Sequence, residues 1–355
     1  MSIDDLAHVA WQMVGQEKGL LAIDESIGTC NERFAARGIP ETAEMRRAWR
    51  ELIVTTPDLE RWIGAVILCD ETIRQTTSDG TAFVSALEKA EILAGIKVDG
   101  GAIMLANHPG ERITEGLDGL KSRLSAYVDM GARFAKWRAV IAIGADLPSR
   151  GCIEANAQLL ARYAAICQQA GLVPVVEPEV IMDGAHTLKR CAEVTQATLR
   201  AFFRHADEQR VVLEAMILKP NMVLPGTDCP EQADVDSIAD ATVHCLLHTV
   251  PAAVPSIAFL SGGQAAELAS ARLNAMNVRF RGRMPWQLAF SFARAIEQPA
   301  LEIWAGRDDH ARAAQAAIAH RAMCNHAARR GGYDAAMEAM LPTNQIADWT
   351  SNAGQ

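Results

Sequence analysis

Val211-Val-Leu-Glu-Ala-Met-Ile-Leu218-Lys219-Pro220-Asn221-Met222-Val223 decides how this chain is read. An apolar run broken abruptly by Lys-Pro-Asn has the pattern of a strand buried on both faces that delivers a polar side chain at its carboxyl end. The same pattern recurs at residues 20–23, 64–68, 94–98, 134–140, 173–179, 256–260 and 288–292, making with 212–218 eight strand-like segments. Their spacing, roughly 30 to 45 residues, leaves room for a helix and two turns in each interval. Those intervals are helical in character, as at 153–169, 236–249 and 265–277. Eight βα units without a Gly-x-Gly-x-x-Gly turn predict a single-domain α/β fold, a (β/α)₈ TIM barrel over residues 1–340. A helix near 3–15 precedes the first strand. The chain after about Gly331 lacks a strong apolar period, and 341–355 read as a flexible tail.

At 355 residues and 50% hydrophobic, the chain can bury a large core. A net charge of −9 argues against a general binder of nucleic acid or anionic membrane, since both reward basic surfaces. It leaves room for a local cationic cluster and an anionic small substrate. Eight cysteines, none in a Cys-x-x-Cys pair, read as reduced and part-buried thiols. Met1-Ser-Ile-Asp-Asp-Leu-Ala-His lacks the basic and apolar regions of a signal peptide. The expectation is a cytoplasmic protein with no membrane or nucleic-acid partner.

Polar residues gather where the strands end. Asp24 follows the first strand, Lys97 the third, Glu177 and Glu179 the fifth, Lys219 the sixth and Ser261 the seventh, while Lys136 and Arg138 lie within the fourth. Strand side chains alternate, so Lys136 with Arg138, and Glu177 with Glu179, project to shared faces. Burying them is costly unless they meet one another or a charged substrate. A structural ion-pair ring and a reactive site both satisfy that condition. Three lysines at one barrel mouth favour the second, because mutual repulsion lowers the pKa of the most buried amine and makes it a nucleophile. For Lys219 alone, a rim lysine reaching to solvent is the plain alternative.

Seven motifs, taken in order, resemble the class I, Schiff-base-forming fructose-1,6-bisphosphate aldolases. They are Ala22-Ile23-Asp24-Glu25-Ser26, Gly95-Ile96-Lys97-Val98-Asp99, Phe134-Ala-Lys136-Trp137-Arg138, Val176-Glu177-Pro178-Glu179, Leu218-Lys219-Pro220-Asn221-Met222, Phe259-Leu-Ser261-Gly262-Gly263-Gln264 and Ser291-Phe-Ala-Arg294. The resemblance implies that Lys219 attacks the ketose C2 carbonyl and forms an iminium that drives C3–C4 cleavage. Glu177 is then the general acid and base, Lys136 orients it and stabilises the departing hydroxide, and Asp24 takes the C4 hydroxyl proton. Arg138 and Glu179 are expected at the substrate, with Glu179 orienting the lysines. Ser261, Gly262, Gly263, Ser291 and Arg294 occupy the usual phosphate position of barrel enzymes. Ser26, Arg33 and Lys97 are expected at the second, distal phosphate. No cofactor or metal is implied, and the family implies a homotetramer.

Other readings of single motifs stand beside this one. Asp24-Glu25-Ser26 after a strand is also a helix N-cap. Leu260-Ser-Gly-Gly-Gln264 matches the signature loop of ABC-type ATPases, yet the chain has no Gly-Lys pair for a phosphate loop. His244 and His248 share a helical face without a third ligand nearby. A barrel that binds without catalysis is the rival from another class. Two departures from the family pattern matter. Glu32-Arg33 stands where a Lys-Arg pair is usual, which weakens the distal phosphate end and raises the alternative of another ketose 1-phosphate as substrate. The chain ends in Gln355 rather than the tyrosine of the vertebrate and plant enzymes, and its last tyrosine is Tyr333.

Overall fold

A computed structural model of the chain describes residues 2–339. In chain order its strands are β1 (Gly19–Ala22), β2 (Ile63–Leu68), β3 (Leu93–Lys97), β4 (Ala102–Met104), β5 (Arg112–Thr114), β6 (Phe134–Ile141), β7 (Val173–Val180), β8 (Ile217–Leu218), β9 (Ser256–Phe259) and β10 (Gln287–Phe292). The helices that bear on the site are α1 (Ile3–Val14), α2 (Ile27–Ala35) and α3 (Ala43–Val54). Six more surround the barrel: α4 (Asp70–Ile73), α5 (Phe83–Lys89), α6 (Leu120–Asp129), α7 (Arg150–Gln169), α8 (Leu188–Glu208) and α9 (Val235–Leu247). The series closes with α10 (Ala266–Arg279), α11 (Arg294–Trp304) and α12 (Ala311–Arg330).

Eight parallel strands close in the order β1-β2-β3-β6-β7-β8-β9-β10, each beside its successor and β10 back against β1. This is the expected barrel, in one domain. The β4–β5 pair is an antiparallel hairpin inserted between β3 and β6. It escapes a pattern search because each arm has three residues, and Ile103 and Met104 face solvent.

The sixth barrel strand is shorter than the apolar run 212–218 predicts. Leu213–Ala215 form a 3₁₀ turn, and only Ile217–Leu218 pair with the neighbouring strands. The reason is a side chain. Gln168 at the end of α7 donates to the carbonyls of Val212 (2.7 Å) and Ala215 (3.2 Å) and accepts from the Val212 N–H (3.0 Å). Those backbone groups are thereby satisfied without a ladder.

Two main apolar layers result, with a small third cluster around Ile141, Val180 and Val223. The larger lies between barrel and helices. The smaller fills the amino end of the barrel, where Leu20, Ala65, Phe134, Val173, Ile217 and Ala289 meet Leu6, Val9 and Met13 of α1. The predicted leading helix is therefore a plug. Gly95 makes the floor possible, because a Cβ there would sit 2.3 Å from the Phe134 ring.

The expected tail beyond Gly331 begins with packed structure. Ala335–Ala339 form a 3₁₀ turn, and Glu338 accepts from Arg321 and from the Tyr333 hydroxyl at 2.8 Å. The 341–355 segment lies outside the described residues.

Candidate active site

Alternation along the strands builds the site directly on that floor. Two residues beyond Ala22, Phe134, Val175, Ile217 and Ala289, on the same inward faces, stand Asp24, Lys136, Glu177, Lys219 and Ser291. All five are buried.

Four of them form one chain of charges. Lys136 Nζ lies 2.8 Å from Asp24 Oδ2 and 2.6 Å from Glu177 Oε2. The other Glu177 oxygen, Oε1, lies 3.0 Å from Lys219 Nζ. Burial opposes every charge here, and the partners decide the outcome. For Lys219, burial prevails: it holds the ammonium below the usual 10.5, with Lys136 adding to the depression against the pull of Glu177. For Lys136, burial loses to Asp24 and Glu177, which hold the ammonium well above the usual lysine range. Burial would raise both carboxyl groups, but the lysines keep Glu177 below its ordinary value and bring Asp24 down to about 2. Two lysines side by side are thus pushed in opposite directions, one toward reactive amine and one toward fixed cation. Glu177 is within reach of both.

The third lysine is placed differently from the expectation. Lys97 is the register partner of Lys136, yet its Nζ is taken by Asp99 Oδ1 at 2.6 Å, and it is partly exposed at the rim. The repulsion between neighbouring cations is therefore chiefly that of Lys136 on Lys219. Glu179 also departs from expectation, pairing with Arg138 Nε rather than a lysine. The Arg138 side chain is about half exposed at the mouth, and its backbone N–H donates to Asp99 Oδ2 at 3.2 Å.

An anion-binding corner adjoins the charge chain. After β9, Ser261 is buried, and Gly262 (φ +58°) and Gly263 (φ +90°) turn the backbone through the left-handed region. A Cβ on Gly263 would stand 3.1 Å from Arg294 Nη2, so the guanidinium lies over this turn. Arg294 opens α11, whose N-cap Ala293 supplies no side-chain cap. The Ser291 hydroxyl is buried without a hydrogen-bond partner among the described residues. Uncapped helix N–H groups, a glycine turn, a hydroxyl and a guanidinium together suit a phosphate.

The distal residues are only partly assembled. Ser26 caps α2, its Oγ accepting from the Thr29 N–H at 3.1 Å. The capping alternative therefore belongs to Ser26, while Asp24 enters the barrel. Arg33 is committed through Nη1 to Glu25 Oε1 and to Glu297 Oε2 at 2.7 Å, while its Nε and Nη2 are buried without a partner among the described residues. Glu32 is exposed on the same helix.

Three participants were missed in the sequence. Glu25 and Asp99 lay inside quoted motifs but were given no task. Glu297 had a readable signal, since it falls on the apolar stripe formed with Ala300, Leu301 and Trp304, and it is fully buried. His244 stacks edge-on against Phe280, with ring centroids 5.7 Å apart. Among the described residues, His320, Cys324 and Glu338 bring possible metal-ligand atoms within 4.8 Å of one another, but Arg321 occupies both Glu338 oxygens.

Comparisons with known proteins bear on the family and the fold. The family model described as fructose-bisphosphate aldolase class-I matches residues 5–348. A probable fructose-bisphosphate aldolase class 1 of Xanthomonas axonopodis pv. citri is 56% identical over 305 residues, covering 86% of this chain and 91% of that protein. Fructose-bisphosphate aldolase 4, cytosolic, of Arabidopsis thaliana is 48% identical over 316 residues, covering 89% and 80%. The fructose-bisphosphate aldolase of Plasmodium falciparum, solved with TRAP and a small-molecule inhibitor, superposes with a TM-score of 0.92 at 40% identity, over 94% of this chain and 96% of that one. A match over nearly the whole length leads to one conclusion: the chain belongs to the class I fructose-bisphosphate aldolase family.

Proposed function

We propose that this protein is a lyase that reversibly cleaves fructose 1,6-bisphosphate to dihydroxyacetone phosphate and glyceraldehyde 3-phosphate through a Schiff base on Lys219. The observation that carries the reading is the 3.0 Å contact between the buried Lys219 amine and Glu177, itself braced by Lys136 at 2.6 Å. Glu177 accepts a proton from the Lys219 ammonium, and the freed amine adds to the C2 carbonyl. Glu177 then returns that proton to the carbinolamine hydroxyl. Water departs, leaving an iminium whose positive charge draws electrons from the C3–C4 bond. Lys136 stays cationic and offsets charge developing on the hydroxyl. Asp24, held anionic, takes the C4 hydroxyl proton as the bond breaks. The proximal phosphate rests on Ser261, Gly262, Gly263, Ser291 and Arg294.

Reductive trapping tests this. Borohydride added with dihydroxyacetone phosphate should fix the ketose to Lys219, and peptide mass spectrometry should find the adduct there. No adduct would leave a barrel that binds without catalysing.

A second reading is favoured by one observation. With Arg33 paired to Glu25 and Glu297, and Glu32 exposed beside it, the distal end offers a second phosphate little beyond Ser26 and Lys97. Another ketose 1-phosphate is then the better substrate, and kcat/KM measured across ketose 1-phosphates and the bisphosphate decides. A cytoplasmic location and a homotetramer complete the proposal. Among the described residues no helix is long and apolar enough to cross a membrane.

A further inference from the structure

We infer that Glu297 is a positioning residue for the cleavage step: the ion-pair chain Glu297–Arg33–Glu25 braces the backbone that presents Asp24. The inference deepens the aldolase reading above and rests on it.

The segment that carries Asp24 has little backbone support. The Ile23 N–H bonds to the Ile67 carbonyl at 3.0 Å, and beyond it Asp24-Glu25-Ser26 belong to neither strand nor helix. Side chains must hold what backbone does not. Asp24 reaches inward to Lys136 at 2.8 Å. Glu25, next in the chain, reaches the helices α2 and α3 instead, and through Arg33 is linked to α11. Its Oε1 meets Arg33 of α2, and its Oε2 meets Arg50 of α3 at 2.7 Å. Arg33 Nη1 bonds a second carboxylate, Glu297 Oε2 of α11, at 2.7 Å.

The network is balanced in charge and largely buried. Two carboxylates face two guanidinium groups, and the Glu297 side chain is 0% exposed while those of Arg50, Glu25 and Arg33 are 3%, 11% and 12% exposed. Charges buried to this extent are weakly screened, and losing one partner leaves another uncompensated. Glu297 also lies three residues after Arg294, about one turn along α11. The helix that opens at the phosphate corner is therefore joined by two ion pairs to the residue following Asp24.

The chemistry separates this role from a merely structural one. Iminium formation uses Lys219, Glu177 and Lys136; of these only Lys136 adjoins Asp24, at 2.8 Å, and it keeps Glu177 at 2.6 Å as a second partner. Cleavage alone needs Asp24 at the C4 hydroxyl. A misplacement on the order of 1 Å costs roughly a hundredfold in a positioned proton transfer. Loosening the brace should therefore slow cleavage far more than iminium formation.

The test compares two rates in Glu297→Gln. One is borohydride trapping of dihydroxyacetone phosphate, which has no C4 hydroxyl. The other is kcat for fructose 1,6-bisphosphate, expressed per trappable site. We expect trapping within about twofold of wild type and kcat lowered roughly ten- to a hundredfold. The double variant Arg33→Met/Glu297→Leu removes both charges, keeps similar volume, and should show the same cleavage-specific loss. A lowered melting temperature with both rates intact would overturn the proposal and leave Glu297 a stability residue. Equal losses in trapping and cleavage would overturn it too, because the effect would then not run through Asp24. A wild-type enzyme that forms no adduct would overturn the Schiff-base reading itself, and this inference with it.

Discussion

Lys219 Nζ and Glu177 Oε1 stand 3.0 Å apart at the centre of a barrel, both side chains at least nine-tenths buried. The pair is one proton away from a reactive amine and a carboxylic acid. Lys136, 2.6 Å from the other Glu177 oxygen, sets how readily that proton moves. A second lysine held firmly cationic makes the first easier to neutralise.

Lys219→Ala should abolish cleavage and trapping while the fold survives, because removing a buried amine leaves Glu177 its contact with Lys136. Activity should also resist EDTA. Steady-state assays with circular dichroism check both, and a variant turning over near the wild-type rate would remove Lys219 from the mechanism.

Glu177→Gln should form the iminium slowly, since an amide cannot carry the proton from ammonium to hydroxyl. The expected loss is about a hundredfold or more, the usual scale for a general acid. Single-turnover trapping measures it. Unchanged trapping would turn attention to Glu179.

Asp24→Asn should lose cleavage more than trapping and should change acid stability. The Asp24 pKa falls from the ordinary 3.8 to about 2 in the fold, where Lys136 and Lys219 outweigh the effect of burial. A depressed carboxyl pKa contributes stability that is fully present above the unfolded value and is lost as pH drops from about 4 toward 2. Its contribution is on the order of 2 kcal/mol. Over that window the Asn variant should show a flatter decline in denaturation midpoint than the wild type. Parallel curves would mean that Asp24 is not ionised against Lys136.

Most of this was legible before any coordinates. Eight apolar runs at even spacing dictate the barrel, and alternation dictates that Lys136 and Glu177 point inward, because a strand has no other way to present its side chains. What was not legible depends on contacts between distant residues. Nothing near Val212 announces that Gln168, 44 residues away, takes its backbone bonds and shortens β8. The family resemblance makes Arg33 a phosphate ligand, whereas Glu297, 264 residues on, takes its Nη1. The pairing of Lys97 with Asp99 could have been suspected from their proximity, but rotamers decide it.

Glu32→Lys should improve kcat/KM for fructose 1,6-bisphosphate about tenfold and leave fructose 1-phosphate nearly unchanged. Glu32 is exposed, so reversing its charge is worth on the order of 1 kcal/mol through solvent. Competing the two substrates in one assay gives the ratio directly. Equal gains on both would show that Glu32 does not sense the distal phosphate.

The α1 plug has a consequence for traffic. With Leu6, Val9 and Met13 packed beneath Phe134 and Ile217, the chamber has a closed base and opens toward its mouth. Sugar, the expelled water and both products must then share one doorway. On the proposed Schiff-base reaction, the untethered aldehyde fragment leaves by that doorway first, and the enamine left on Lys219 is then protonated at C3 to an iminium that entering water hydrolyses. Release is therefore ordered by architecture as well as by bonding, and a bulky group lodged at the rim would stall the second product while leaving the first bond-breaking event untouched.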